Sequence, residues 1–101
     1  MRYEFWYDAR HTGALRVIDH ERRCLHGSDP SEKNWTVSFE YVDAKKSGLR
    51  VDFQKKKTHH GRRIMEPRYT QRRQILAWPD GNEWRRVRVD PRIVLSMIAK
   101  N

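Results

Sequence analysis

The sequence predicts a mainly β (α+β) fold: an antiparallel β-meander, as an open sheet or a small barrel, with one C-terminal helix. Three observations lead to this prediction. Apolar and polar residues alternate along several segments, residues typical of tight turns separate these segments, and apolar residues take a helical spacing near the C-terminus. The 101 residues are expected to form a single small basic β-rich domain.

The first half of the chain contains two predicted hairpins. The first joins strands near 2–9 and 14–19 through a turn that ends at Gly13. The second joins strands near 34–43 and 48–56, in which apolar and polar side chains alternate most clearly. These two strands are expected to pair antiparallel.

Two segments show no period. Residues 21–33 contain glycine and proline and are predicted to form a loop, with at most a short helical turn near 20–25. Residues 55–68 are basic and are predicted to form a long exposed connection.

The C-terminal part is predicted to contain a third hairpin and the helix. Strands near 74–78 and 83–89 flank the turn sequence 79–82, in which Gly81 is expected at positive φ. An aspartate suited to an N-cap and a proline suited to the first helical position precede apolar residues at helical spacing, so a helix is predicted at 91–99. It is expected to cover one face or end of the sheet.

The predicted core consists of the apolar faces of these elements. Four tryptophans, four tyrosines and three phenylalanines supply enough large side chains for compact packing. The predicted core residues are Tyr3, Phe5, Tyr7, Val17, Trp35, Val37, Phe39, Tyr41, Leu49, Val51, Phe53, Ile75, Val87, Ile93, Val94, Met97 and Ile98.

Positive charge is concentrated in the second half of the chain. Residues 1–44 contain 6 Lys+Arg and 8 Asp+Glu, a net charge of −2, whereas residues 45–101 contain 16 and 5, a net charge of +11. An asymmetry of this size points to a polyanionic partner, and nucleic acid, either RNA or DNA, is the leading prediction. An acidic protein surface is the alternative partner.

The predicted nucleic-acid-binding residues are cations of this half together with one tryptophan. Lysine and arginine neutralise phosphates, and arginine can donate two hydrogen bonds to a phosphate or a guanine edge. A strand face that carries Trp84 beside two arginines would combine stacking with charge; the alternative places Trp84 in the core with the arginines on a rim. The predicted residues are Lys45, Lys46, Lys55, Lys56, Lys57, Arg62, Arg63, Arg68, Arg72, Arg73, Trp84, Arg86 and Arg88.

Three functions fit this pattern. The leading prediction is a small non-enzymatic nucleic-acid-binding protein. The alternative is a small inhibitor or host-takeover-type protein that docks on an acidic or nucleic-acid-binding surface of a protein partner. The third is a metal-independent ribonuclease-type toxin that uses His59 or His60. Adjacent histidines on an extended segment point in opposite directions, so the sequence favours a protein without catalytic residues.

One group of residues has the ligand types of a zinc site. Cys24, the single cysteine, lies between His20 and His26. Structural zinc sites show paired ligands and four donors, and no fourth donor is apparent, so an ordinary histidine and a small buried thiol are favoured. No metal or cofactor is therefore predicted.

The composition also bears on location. A single cysteine suits a reducing compartment. The first ten residues lack the apolar core of a signal peptide, and the longest apolar runs are far too short to span a bilayer. A cytoplasmic protein without membrane association is expected.

Overall fold

The computed structural model describes residues 3–10, 14–29, 32–54, 63–88, 90 and 92. Over these residues the chain forms nine antiparallel strands in one curled, half-barrel sheet, which confirms the mainly β prediction. The strands are β1 (Tyr3–Asp8), β2 (Ala14–Asp19), β3 (Cys24–Asp29), β4 (Glu32–Tyr41), β5 (Leu49–Asp52), β6 (Ile64–Met65), β7 (Arg68–Thr70), β8 (Ile75–Ala77) and β9 (Glu83–Val87).

The strand order explains why the sheet curls. It runs β6-β5-β4-β3-β2-β1-β9-β8-β7, so the two edge strands are neighbours in sequence. An antiparallel bridge joins Gly48 to Arg68. Beside it, the Leu49 backbone N–H donates to the Pro67 carbonyl and the Tyr69 N–H donates to the Ser47 carbonyl, each over 3.0 Å. The curl therefore brings the two edges of the sheet into contact.

The three predicted hairpins are present. β1 pairs with β2, β4 with β5, and β8 with β9, all antiparallel. In the second hairpin Phe39 lies opposite Val51, and both are buried. Gly81 has the expected positive φ, at 89°.

The loop predicted over residues 21–33 is wrong for 24–29, which form β3 between β2 and β4, and for 32–33, which begin β4. Glycine and serine are weak strand formers, and they hid the alternation of this segment. Gly27 has a specific reason to lack a side chain, since a Cβ there would overlap the Trp35 ring.

The long connection predicted over 55–68 is also wrong at its C-terminal end. Residues 64–65 and 68–70 form β6 and β7, and residues 55–62 lie outside the described part of the chain. Pro67 has no N–H to donate, which accounts for the break between these two short strands.

The main core lies inside the curl, and its largest fully buried side chain is Trp6. On β1 the prediction is correct that Phe5 is buried, but it is wrong about the side that faces the main core, where Trp6 lies together with Glu4 and Asp8. Phe5 instead packs with Val17 in a second, smaller cluster. The members of the main core are Trp6, Ile18, Leu25, Val37, Phe39, Leu49, Val51, Phe53, Met65, Leu76, Trp78 and Trp84.

The predicted helix at 91–99 falls outside the described residues, apart from Arg92. The same holds for its four predicted core residues, Ile93, Val94, Met97 and Ile98. In the part of the chain that the structure describes, no helix has the length and apolar character needed to cross a membrane.

Candidate functional site

Three turns lie at one end of the sheet, because alternate turns of an antiparallel sheet share an end. They are the β2–β3 turn (20–23), the β4–β5 turn (42–48) and the β7–β8 turn (71–74). β1 begins at this end and β9 finishes there. We call it the basic end, after its cations Arg22, Arg23, Lys45, Lys46, Arg68, Arg72, Arg73, Arg86 and Arg88.

Two tyrosines hold three of these cations. The Arg23 guanidinium lies 5.3 Å and the Lys46 ammonium 4.9 Å from the centre of the Tyr41 ring. The Arg73 guanidinium lies 4.0 Å from the centre of the Tyr69 ring. These are cation–π contacts, which fix the direction of a charge without neutralising it.

The same three cations have a left-handed backbone. The φ angles of Arg23, Lys46 and Arg73 are 53°, 57° and 65°. A non-glycine residue in this region is strained, and such strain concentrates at functional sites. Each of the three turns therefore presents a charged side chain from a costly backbone conformation.

The Glu4 carboxylate lies between the two tyrosines and contacts three donor groups. The Tyr69 hydroxyl donates to Glu4 Oε1 over 2.7 Å, and His20 Nε2 lies 3.0 Å from the same oxygen. Arg86 NH1 lies 3.5 Å from Oε2, and its guanidinium also covers the Trp6 ring at 5.5 Å. The carboxylate thus links β1, β7 and β9 to the β2–β3 turn.

His20 connects this carboxylate to Tyr41. Because an ionised carboxylate only accepts, Nε2 of His20 is assigned as the donor to Glu4, and Nδ1 then accepts from the Tyr41 hydroxyl over 2.7 Å. The planes of the two rings are nearly parallel, at an angle of 4°. Both ring nitrogens of His20 are therefore engaged.

The network shifts the pKa values of its acids in opposite directions. Burial raises the pKa of Glu4, but hydrogen bonds from His20 and Tyr69, together with the positive charge of Arg86, outweigh it and give a net lowering. Burial raises the pKa of Tyr69, and the charge of Glu4 raises it further. Burial likewise raises the pKa of Tyr41. At neutral pH the centre is therefore an ionised carboxylate between two protonated phenols.

The basic end brings together seven of the predicted binding residues: Lys45, Lys46, Arg68, Arg72, Arg73, Arg86 and Arg88. Arg63 lies elsewhere, and its Nε donates to Asp52 over 3.0 Å. Trp84 is in the core, 4% exposed and 4.6 Å from the Trp78 ring, which is the alternative that the sequence left open. The predicted residues Lys55, Lys56, Lys57 and Arg62 lie outside the described residues, as do His59 and His60.

Several residues of this site were not predicted from the sequence. Glu4, His20 and Arg23 come from the half of the chain with a net negative charge, and Tyr41 and Tyr69 had no signal of function. A correct prediction of β3 would have revealed that the β2–β3 and β4–β5 turns share an end. Comparison with models of known protein families, with curated proteins and with solved structures finds no match to this chain.

Proposed function

We propose that the protein binds nucleic acid through the phosphate backbone, and that the basic end is the binding surface. The observation that carries this proposal is the set of three cations, Arg23, Lys46 and Arg73, that three separate turns present at one end on tyrosine rings. Several cations from separate turns at one end of the sheet suit the repeated charges of a polyanion.

The charge of these side chains is available to a ligand. Among the described residues, no carboxylate forms an ion pair with Arg23, Lys46 or Arg73. Three acids at this end are engaged by other groups: Glu4 by the network described above, Asp43 by Ser47 and Arg68, and Asp19 by the backbone N–H groups of Glu21 and Arg22. An approaching phosphate would therefore replace water at the three cations rather than break ion pairs.

The aromatic rings add a second means of contact. Tyr41 and Tyr69 are only partly buried, and each already carries a cation at its face or edge. Aromatic side chains beside cations are typical of surfaces that bind single strands without reading their sequence. Single-stranded nucleic acid is therefore the expected ligand class.

The geometry favours binding over cleavage. His20 is the described histidine at the basic end, and both of its ring nitrogens are engaged by Glu4 and Tyr41. It has no free lone pair with which to remove a proton from a substrate hydroxyl. Its contacts instead indicate a residue that positions Tyr41 beneath the cations.

A titration of the purified protein against random single-stranded RNA, single-stranded DNA and duplex DNA, each at several salt concentrations, tests the proposal. Binding is expected to weaken linearly on a plot of log affinity against log salt, because bound cations release counterions. Arg73→Ala should weaken binding to all sequences about equally, since phosphate contacts do not read bases.

Arg10→Ala is the matched control. Arg10 follows β1, whose final residues lie at the opposite end of the sheet, and its NH1 lies 3.4 Å from Asp80. Its loss should leave affinity nearly unchanged. A protein without salt-sensitive binding to any of the three nucleic acids would contradict the proposal. A pull-down with the wild type and Arg73→Ala would then test the acidic protein surface as the partner.

A further inference from the structure

The outer face of the β2–β3 hairpin carries a second group of polar side chains. Asp19 and Cys24 lie directly opposite each other in the strand register, and His26 follows Cys24 on the same face of β3. A carboxylate oxygen of Asp19, Sγ of Cys24 and a ring nitrogen of His26 all lie within 4.8 Å of one another. Sγ of Cys24 and Nε2 of His26 are 3.3 Å apart.

From this geometry we infer that Asp19, Cys24 and His26 bind a divalent transition-metal ion of the zinc class. His20, which the sequence also suggested as a ligand, does not belong to this group, since its ring contacts Glu4 and Tyr41. The inference is independent of nucleic-acid binding, because it uses none of the residues of the basic end that carry that proposal.

Hydrogen bonds orient two of the three side chains through the atoms that would not bind the metal. Oδ1 of Asp19 accepts from the backbone N–H groups of Glu21 and Arg22, each over 3.0 Å. Nδ1 of His26 is hydrogen bonded to Oγ1 of Thr36 over 2.8 Å. Metal sites in proteins commonly have such partners behind their ligands. Among the described residues, they leave Oδ2 of Asp19 without a hydrogen bond and Nε2 of His26 beside Sγ of Cys24.

The second oxygen of Asp19 is an independent indication of a ligand. Asp19 is 1% exposed, and Oδ2 has no hydrogen-bond partner among the described residues. The exposed Arg22 has its NH1 3.7 Å from Oδ2, which is too long for a hydrogen bond. A buried carboxylate oxygen without a hydrogen bond is unfavourable, and a metal ion bound between Asp19, Cys24 and His26 would compensate it.

The chemistry of the three donors selects the metal. Oxygen, sulfur and imidazole nitrogen are the three ligand types of zinc, whereas magnesium and calcium prefer oxygen alone. A thiolate and a carboxylate together balance the charge of a divalent ion. Three protein ligands leave the fourth tetrahedral position for water or for a donor from a partner.

Titration of the tag-free, reduced protein with cobalt(II), a spectroscopic substitute for zinc, tests the inference. One equivalent is expected to give a thiolate-to-cobalt charge-transfer band in the near ultraviolet and the intense visible bands of a tetrahedral ion. Zinc should then displace the cobalt and abolish both bands. The absence of a charge-transfer band at excess cobalt would overturn the inference.

Variants identify the ligands. Cys24→Ser should lose the charge-transfer band. Asp19→Asn keeps the Oδ1 acceptor for the turn but replaces Oδ2 by a non-ligating amide, so cobalt affinity should fall at least about tenfold. Glu40→Gln, which removes an exposed carboxylate on β4 outside the cluster, is the matched control and should leave the spectrum unchanged. A full-strength band in Cys24→Ser, or unchanged affinity in a folded Asp19→Asn, would refute the assignment.

Discussion

Asp8 shows how this small sheet holds a charge in its interior. Its side chain is 2% exposed and lies 3.3 Å from NH2 of Arg16, whose side chain is 3% exposed. Nδ2 of Asn82 and the backbone N–H of Arg10 also donate to Asp8, each over 3.1 Å. A buried ion pair adds little stability relative to apolar residues, but loss of one partner leaves the other charge uncompensated.

Asp8→Ala is therefore expected to lower the free energy of unfolding by about 3–5 kcal/mol, because it removes one partner of a buried ion pair and the acceptor of the hydrogen bonds from Asn82 and Arg10. Urea denaturation measures the change. Arg63→Ala is the control, since the Arg63 side chain is 68% exposed and its Nε lies 3.0 Å from Asp52, and surface pairs of this kind contribute little. Equal, small losses in the two variants would contradict this account of Asp8.

Glu4 makes stability depend on pH. Its pKa in the folded protein lies below its ordinary value of 4.5. The ionised form therefore stabilises the fold above pH 4.5, and this contribution is lost as pH falls through 4.5 toward the lower pKa of the folded state. We expect the difference in unfolding free energy between wild type and Glu4→Gln to be largest near neutral pH and to narrow on acidification. A difference in unfolding free energy that widens at low pH would contradict the lowered pKa of Glu4 in the folded protein.

At the scale of elements, the β8–β9 turn and β3 each depend on one glycine, for different reasons. Gly81 has a φ of 89°, and an added Cβ would meet no atom within 4 Å, so only the backbone conformation requires glycine there. At Gly27 the backbone is not at positive φ, but an added Cβ would overlap the Trp35 ring.

Gly81→Ala should lower the free energy of unfolding by about 1 kcal/mol, the cost of a side chain in the left-handed region. Gly27→Ala should cost more, about 1–3 kcal/mol, because the Trp35 ring, which packs against the core, must move away from the added methyl group. Thermal or urea unfolding of both variants checks the order. A larger loss at Gly81 than at Gly27 would show that the turn, rather than the Trp35 contact, limits stability.

Local pattern was enough to predict some elements and not others. The three hairpins were predicted because alternation and turn residues lie within a few residues of each other, as in Phe39 opposite Val51. β3 was missed because Gly27 is explained only by Trp35, a residue on the next strand. The inner face of β1 was predicted wrongly because two acids, Asp8 and Glu4, lie on it. Their burial depends on Arg16, which binds Asp8, and on Tyr69, which binds Glu4, and both partners lie on other strands.

At the scale of the whole molecule, the strand order decides which charges share a surface. The sequence predicted an excess of cations in the second half, but Arg23 comes from the first half and lies at the same ring as Lys46. Their common partner, Tyr41, ends β4, and only the pairing of β3 with both β2 and β4 brings the two turns to one end. The total charge could thus be predicted from the sequence, whereas the positions of the cations relative to one another could be known only from the strand order of the sheet.

A charge-matched pair of triple variants separates total charge from arrangement. The first triple variant replaces Arg23, Lys46 and Arg73 by glutamine. The second replaces Arg10, Arg50 and Arg63 by glutamine and removes the same total charge. In the second set, Arg10 is paired with Asp80 and Arg63 with Asp52. Long-range attraction should fall equally in both. Only the first triple should also flatten the slope of log affinity against log salt for single-stranded RNA, by up to about two units, because each phosphate contact on a single strand contributes about 0.7 to that slope.

The slope is measured by fluorescence anisotropy at several salt concentrations, after circular dichroism has shown that both triple variants are folded. An equal change of slope in the two variants would mean that the protein attracts nucleic acid by its net charge of +9 alone. It would also mean that the three turns do not form the binding surface. A slope reduced only in the first variant would place the phosphate contacts at Arg23, Lys46 and Arg73, where cation–π contacts with Tyr41 and Tyr69 hold the charges toward the ligand.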